Sequence, residues 1–150
     1  MRKIPFALVA VLFSLPAAAD TVPAAVDRSI QPFALKGAVL AGGVLTATFA
    51  RPVVTFSVFE SFVTNGVCMP LIVDPKAGWG KSNIERVEVR NSAGAQGFAL
   101  GGLRKACVDI GDIAGGSVNV KKYLAPIALV CTAGQACRAR RGGEKTSGDE

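Results

Sequence analysis

Four cysteines and no histidine set the chemistry this chain can attempt. Cys68, Cys107, Cys131 and Cys137 include no Cys-x-x-Cys pair, whereas zinc sites draw on such close pairs or on histidine. A nucleophilic cysteine needs a neighbouring base or a positive surrounding to hold its thiolate. Arg104 and Lys105 precede Cys107, but two cations beside a cysteine are too common to mark a nucleophile. An even count in an exported chain reads instead as two disulfides. Of the three possible pairings, spacing favours Cys131–Cys137, which closes a short loop around Gly134, with Cys68–Cys107 closing a long one. In the chain-entropy model the two loops stabilise the fold by roughly 2.5 and about 4 kcal/mol.

The carboxylates offer little more. The close pairs are Glu85 with Glu88 and Asp109 with Asp112. On a strand, Glu85 and Glu88 point to opposite faces and cannot share a proton, and Glu88 between Arg86 and Arg90 reads as a solvated face. Asp109 and Asp112 flank the end of a short helix, and two aspartates at that spacing are far from a calcium loop. The run Gly97 to Gly102 lacks the lysine or spaced acid of a nucleotide-binding loop, so its glycines read as turn residues. No cofactor is expected. Arg138, Arg140 and Arg141 form a basic knot without interleaved aromatics, with acids close behind, so it reads as a solvated tail and no nucleic-acid partner is expected.

One residue stands out for contact. Trp79, the only tryptophan, lies in an Asp-Pro-Lys-Ala-Gly-Trp-Gly-Lys loop flanked by Lys76 and Lys81. Tryptophan with nearby cations is favoured at interfaces, and loops on rigid β scaffolds carry binding. Trp79, Lys76 and Lys81 are therefore the expected binding residues, and the competing reading has Trp79 capping the core.

The elements that must position these residues begin after a leader. Arg2 and Lys3, the apolar run Phe6 to Leu15, and Pro16 before Ala17, Ala18 and Ala19 make a cleavable secretory signal over residues 1–19. The mature chain then starts near Asp20, in the periplasm or secreted space, as one domain. Its formal charge of +6 falls to +4 without Arg2 and Lys3. The tail's four bases and three acids leave about +3 on the folded part, weak evidence for a polyanionic partner. Arg51 and Glu60 divide the apolar stretch 37–73 into runs of 14, 8 and 13 residues. None reaches the ~20 needed to span a bilayer, so stable membrane insertion after cleavage is not expected.

The periodicity predicts a mainly β or β-rich α+β domain, an antiparallel meander or sandwich of hairpins with one short helix. Residues 20–32 read as an N-terminal arm with at most one helical turn, 33–137 as the domain, and 138–150 as a disordered tail. Strands are expected at 33–40 and 44–50. Val53 to Thr64 is the clearest strand by alternation, and Asn65-Gly66 suits a tight turn, returning through Val67 to Val73 with Val63 facing Cys68. A helix through Phe56, Phe59, Phe62 and Val63 is the competing reading. A second hairpin is expected over 84–100, a helix at 103–110 docked through Cys107, and strands over 118–122 and 123–131.

With no convergent acid, base or nucleophile, the reading is a non-enzymatic binding protein: an inhibitor, an immunity-type protein or an assembly component, whose partner is another envelope or secreted protein. The alternatives are a carboxylate-dependent hydrolase acting on an envelope polymer, and a surface subunit assembling by strand addition.

Overall fold

A computed structural model describes residues 19–113 and 116–140 of the chain. The leader expected over 1–19 therefore lies, apart from Ala19, outside the described residues, as does 141–150 of the expected tail.

Among the described residues, six strands form one sheet in chain order: β1 (Leu35–Ala41), β2 (Val44–Phe49), β3 (Arg86–Arg90), β4 (Gly97–Gly101), β5 (Leu129–Cys131) and β6 (Arg138–Ala139). The strands expected at 33–40 and 44–50 pair as β1–β2, and the hairpin expected over 84–100 is present as β3–β4. The meander is not wholly antiparallel, because β2 and β3 run parallel. Parallel neighbours need a crossover, and residues 50–85 supply it. Alternation divides the sheet into two faces. Leu40, Leu45, Val87 and Leu100 align across four strands, as do Ala47, Val89 and Phe98 beside them, and all are at most 2% exposed. The opposite face carries Thr46, Thr48, Arg86, Glu88 and Arg90.

The helices α1 (Ala24–Ile30), α2 (Phe56–Val73), α3 (Leu103–Asp112) and α4 (Ser117–Leu124) accompany the sheet, giving an α+β architecture rather than a sandwich. The arm is ordered, since α1 buries Val26 and Ile30. The hairpin expected over 53–73 is replaced by the crossover helix α2. Thr55 caps it, its hydroxyl accepting from Val58 N at 3.3 Å. Phe56, Phe59, Phe62, Val63 and Val67 are all at most 1% exposed. Phe59 lies 5.4 Å from Phe98 and Phe62 5.5 Å from Phe49, ring to ring, so the aromatic stripe packs on the strands' apolar face. The alternation that resembled a strand was overruled by this helical stripe.

Gly66 serves close packing rather than a turn. A Cβ there would sit 3.1 Å from Ile30 and 3.3 Å from Phe33. Pro70 then creates a local problem, because it has no N–H to offer the Gly66 carbonyl four residues earlier. Over Phe62–Cys68 the helix widens, Met69 N bonding back five residues to Thr64 O, and the Ser29 hydroxyl donates to the Gly66 carbonyl instead. Glu60, expected to break an apolar run, lies inside α2, which at 18 residues is long and apolar enough to cross a membrane by length and composition alone.

The buried Asn91 ties the β3–β4 turn to the start of the crossover. Its Nδ2 donates to Pro52 O at 2.7 Å, and its Oδ1 accepts from Ala95 N and Gln96 N. Gln96 closes the clamp on both backbone groups of Val54. Downstream, the expected helix appears as α3. The expected strand over 118–122 is a helix, because Val120 and Leu124 at i and i+4 share one buried face. Arg138 and Ala139, read as the start of a disordered tail, form β6, and the Arg140 guanidinium stacks 4.8 Å from the Phe56 ring and 5.6 Å from the Phe98 ring.

Candidate functional site

Both expected disulfides are formed. Cys68–Cys107 joins α2 to α3 with a Cα separation of 4.9 Å, and Cys131–Cys137 closes the β5–β6 hairpin. The first is wholly buried. Two such bonds suggest an oxidising, exported environment.

Trp79 is not presented to solvent as the binding reading required. It is 1% exposed, and its indole N–H donates to Val67 O at 2.9 Å in the widened part of α2. A buried indole keeps its polar edge only with such a partner. Lys76 and Lys81 remain exposed beside it. Asp74 orders their loop by accepting from the backbone N–H groups of Lys76 and Ala77. Lys81 borders an open polar cleft of about 530 Å³ with Asp20, Thr21, Asn83 and Glu85. The structure thus keeps the two lysines at the surface and turns the tryptophan inward.

What lies over Trp79 is Arg104 of α3, its guanidinium 5.0 Å from the ring centroid. Arg104 stands on the rim of an apolar groove between the end of α2 and α3. Leu71, Ile72, Pro75 and Val108 form its walls, Arg104 and Asp112 its charged rim, around about 370 Å³. Cys107, itself fully buried, lies beneath the groove, and its bond to Cys68 fixes the spacing of the two helices. Gly111 lets them approach, since a Cβ there would meet Ile72 at 3.3 Å. Val108 is 54% exposed, and Met69 and Val73 at the same end of α2 are 39% and 74% exposed. Apolar residues clustered at a surface in this way mark interaction sites. Sequence reading missed the groove because it placed Met69 to Val73 in a half-buried strand. The available signal was that Met69, Leu71, Ile72 and Val73 are apolar on every side of a helical turn, more than one core face uses.

Glu88 and Asp109 are engaged away from the groove. Glu88 accepts from Arg86 and Arg90, both at 2.9 Å. Burial alone would push its carboxyl up, but the hydrogen bonds and charges of the two arginines together hold it below the usual range. Asp109 accepts from Lys105 and from the Tyr123 hydroxyl, both at 2.6 Å, and these bonds, Lys105 first, hold its carboxyl low. Burial, then the bond to Asp109, pushes the Tyr123 phenol up to about 12. Burial raises the Glu60 carboxyl, and the charge of Lys121 only partly offsets this. Among the described residues, no group of three or more cysteines and acids is placed to hold a metal ion.

No protein-family model matches the chain, and neither a curated protein nor a solved structure is significantly similar to it.

Proposed function

We propose that this chain is a small exported binding protein of the periplasm or secreted space, and that its contact surface is the groove between α2 and α3. The observation that carries the reading is an apolar slot with a basic and an acidic group on its rim, held by a buried disulfide. Pre-organised apolar pockets with few polar groups are where partners anchor, because little ordering entropy remains to be lost on binding. The partner is another envelope or secreted protein that inserts an apolar side chain against Ile72 and Val108 and meets Arg104 and Asp112 with complementary charge. An inhibitor, an immunity-type protein or an assembly component would each use such a surface. The carboxylates support binding over hydrolysis, since Glu88 and Asp109 are each already held by two donors.

The test is co-purification of partners from an envelope extract on the immobilised mature chain, with Val108→Asp and Lys81→Ala as variants. A charge in the slot is expected to weaken capture at least about tenfold, because a buried unpaired carboxylate costs more than 1.4 kcal/mol, while Lys81→Ala leaves it intact. Full capture by folded Val108→Asp would refute the assignment.

A further inference from the structure

The two disulfides differ in kind, and we infer that Cys131–Cys137 is a thiol-exchange site that gates the C-terminal edge of the sheet. Cys68 and Cys107 are 0% exposed between two helices, where an attacking thiol reaches neither sulfur without opening the core. Cys131 is also buried, but Cys137 is partly exposed, just before the edge strand β6. The pairing of Leu129 with Ala139 and Val130 with Arg138 puts the two half-cystines directly opposite one another. Across the sheet, Arg90 pairs with Gly97 and Gly97 with Cys131. Gly97 has no side chain to block the path, and Arg90 Nη2 lies 3.2 Å from Cys137 Sγ. Arg86, Glu88 and Arg90 together leave one positive charge beside that sulfur.

This geometry suits attack by a thiolate on Cys137. The incoming sulfur bonds to Cys137 Sγ, the bond to Cys131 breaks, and Cys131 leaves as a thiolate that takes a proton from water. A second thiolate attacks the incoming sulfur, releases Cys137 as a thiolate beside Arg90, and forms the oxidised disulfide of the reagent. Two thiols thus supply the two electrons. Arg90 draws the anion in and stabilises Cys137 as a leaving group, and a leaving group of lower pKa departs faster. The consequence is mechanical. Among the described residues β6 is a two-residue edge strand paired with β5 and tethered through Arg140 to Phe56 and Phe98, so breaking the bond removes one of its ties and lets β6 and Arg140 lift away together. The edge of β5 and the end of the aromatic core then open to an added strand.

Under native conditions, the folded mature chain is treated separately with reduced glutathione and dithiothreitol, alkylated with iodoacetamide, and mapped by mass spectrometry. Glutathione is expected to form its adduct on Cys137 and not on Cys131. Dithiothreitol is expected to free Cys131 and Cys137 at least about tenfold faster than Cys68 and Cys107. Arg90→Gln is expected to slow the second step, in which a glutathione thiolate displaces Cys137 from its isolated adduct, about three- to tenfold, with Arg90→Lys restoring most of it. In reduced protein, the pH midpoint of Cys137 alkylation is expected to rise in Arg90→Gln, which a purely structural role would not produce. Hydrogen exchange on Cys131→Ser/Cys137→Ser is expected to show residues 138–140 released while the core stays protected. Equal reduction of both bonds, an adduct on Cys131, no reduction before global unfolding, or an unmoved midpoint would each overturn the proposal.

Discussion

Replacing Trp79 by phenylalanine separates a structural tryptophan from a contact residue. The indole is 1% exposed, and its N–H is the donor that reaches Val67 O at 2.9 Å. Phenylalanine keeps the ring but has no donor. It therefore strands a buried carbonyl, at about 1–3 kcal/mol. The smaller ring also leaves unfilled volume, at roughly 1 kcal/mol. Arg104, stacked 5.0 Å away, loses the best of the aromatic faces, another ~0.5 kcal/mol. The sum is about 3 kcal/mol, which for a domain of this size lowers Tm by roughly 10–15 °C. Thermal and urea unfolding followed by far-UV circular dichroism measure it without relying on the lost fluorophore. Partner capture by the groove, assayed well below the new Tm, should change far less than in Val108→Asp. A Tm within about 2 °C of the parent, or a loss of capture matching that of Val108→Asp, would show that the indole does not do what its burial and hydrogen bond say.

Three further perturbations follow from the same packing. Gly97→Ala places a Cβ 1.8 Å from Val89 O, a backbone atom that cannot step aside, so the variant should lose more than about 3 kcal/mol or fail to fold, read from soluble yield and the urea midpoint. Ser29→Ala removes the hydroxyl that serves the Gly66 carbonyl, and a loss of about 1–2 kcal/mol is expected in the same assay. The half-buried glutamates should show opposite pH signs between about pH 3 and 7. Glu60 has its pKa raised on folding, so its contribution is present below the unfolded value near ~4.3 and lost as pH rises through the higher folded value; Glu60→Gln should stabilise the protein at neutral pH. Glu88 has its pKa lowered, so its contribution is present above the unfolded value and lost as pH falls through the lower folded one; Glu88→Gln should destabilise at neutral pH and not in acid.

The parts of the fold legible in the sequence were those whose signal is local. β1–β2 and β3–β4 each alternate over a few residues around a short glycine-containing turn, and α3 repeats Leu103, Ala106, Cys107 and Ile110 at helical spacing. Loop length favoured, among three possible pairings, the one the structure holds. α2 was misread because its signals conflict. Asn65-Gly66 has the chemistry of a tight turn, and what overrides it is contact with Ile30 and Phe33, far away in the chain. α4 was misread because Val118 and Val120 alternate like a strand, while only the partners of Val120 and Leu124 reveal the helix. The groove inherits the first error, since Ile72 and Val108 meet only if both segments are helical. The inward turn of Trp79 depends on the Val67 carbonyl, which no spacing rule connects to it.

The widened stretch Phe62–Cys68 also acts as a phase adjuster. Successive α-helical residues are rotated by about 100°, so a surplus residue absorbed in one wide turn re-aims every side chain after it. Phe56 and Phe59, ahead of it, point at the strands, while Cys68 at its end and Leu71 beyond it point toward α3. A single helix thereby faces two neighbours that an evenly wound one would not reach together. Shortening it by one residue within 62–68 would swing Cys68 away from Cys107 and dissolve the groove, even though every remaining amino acid kept its helical preference.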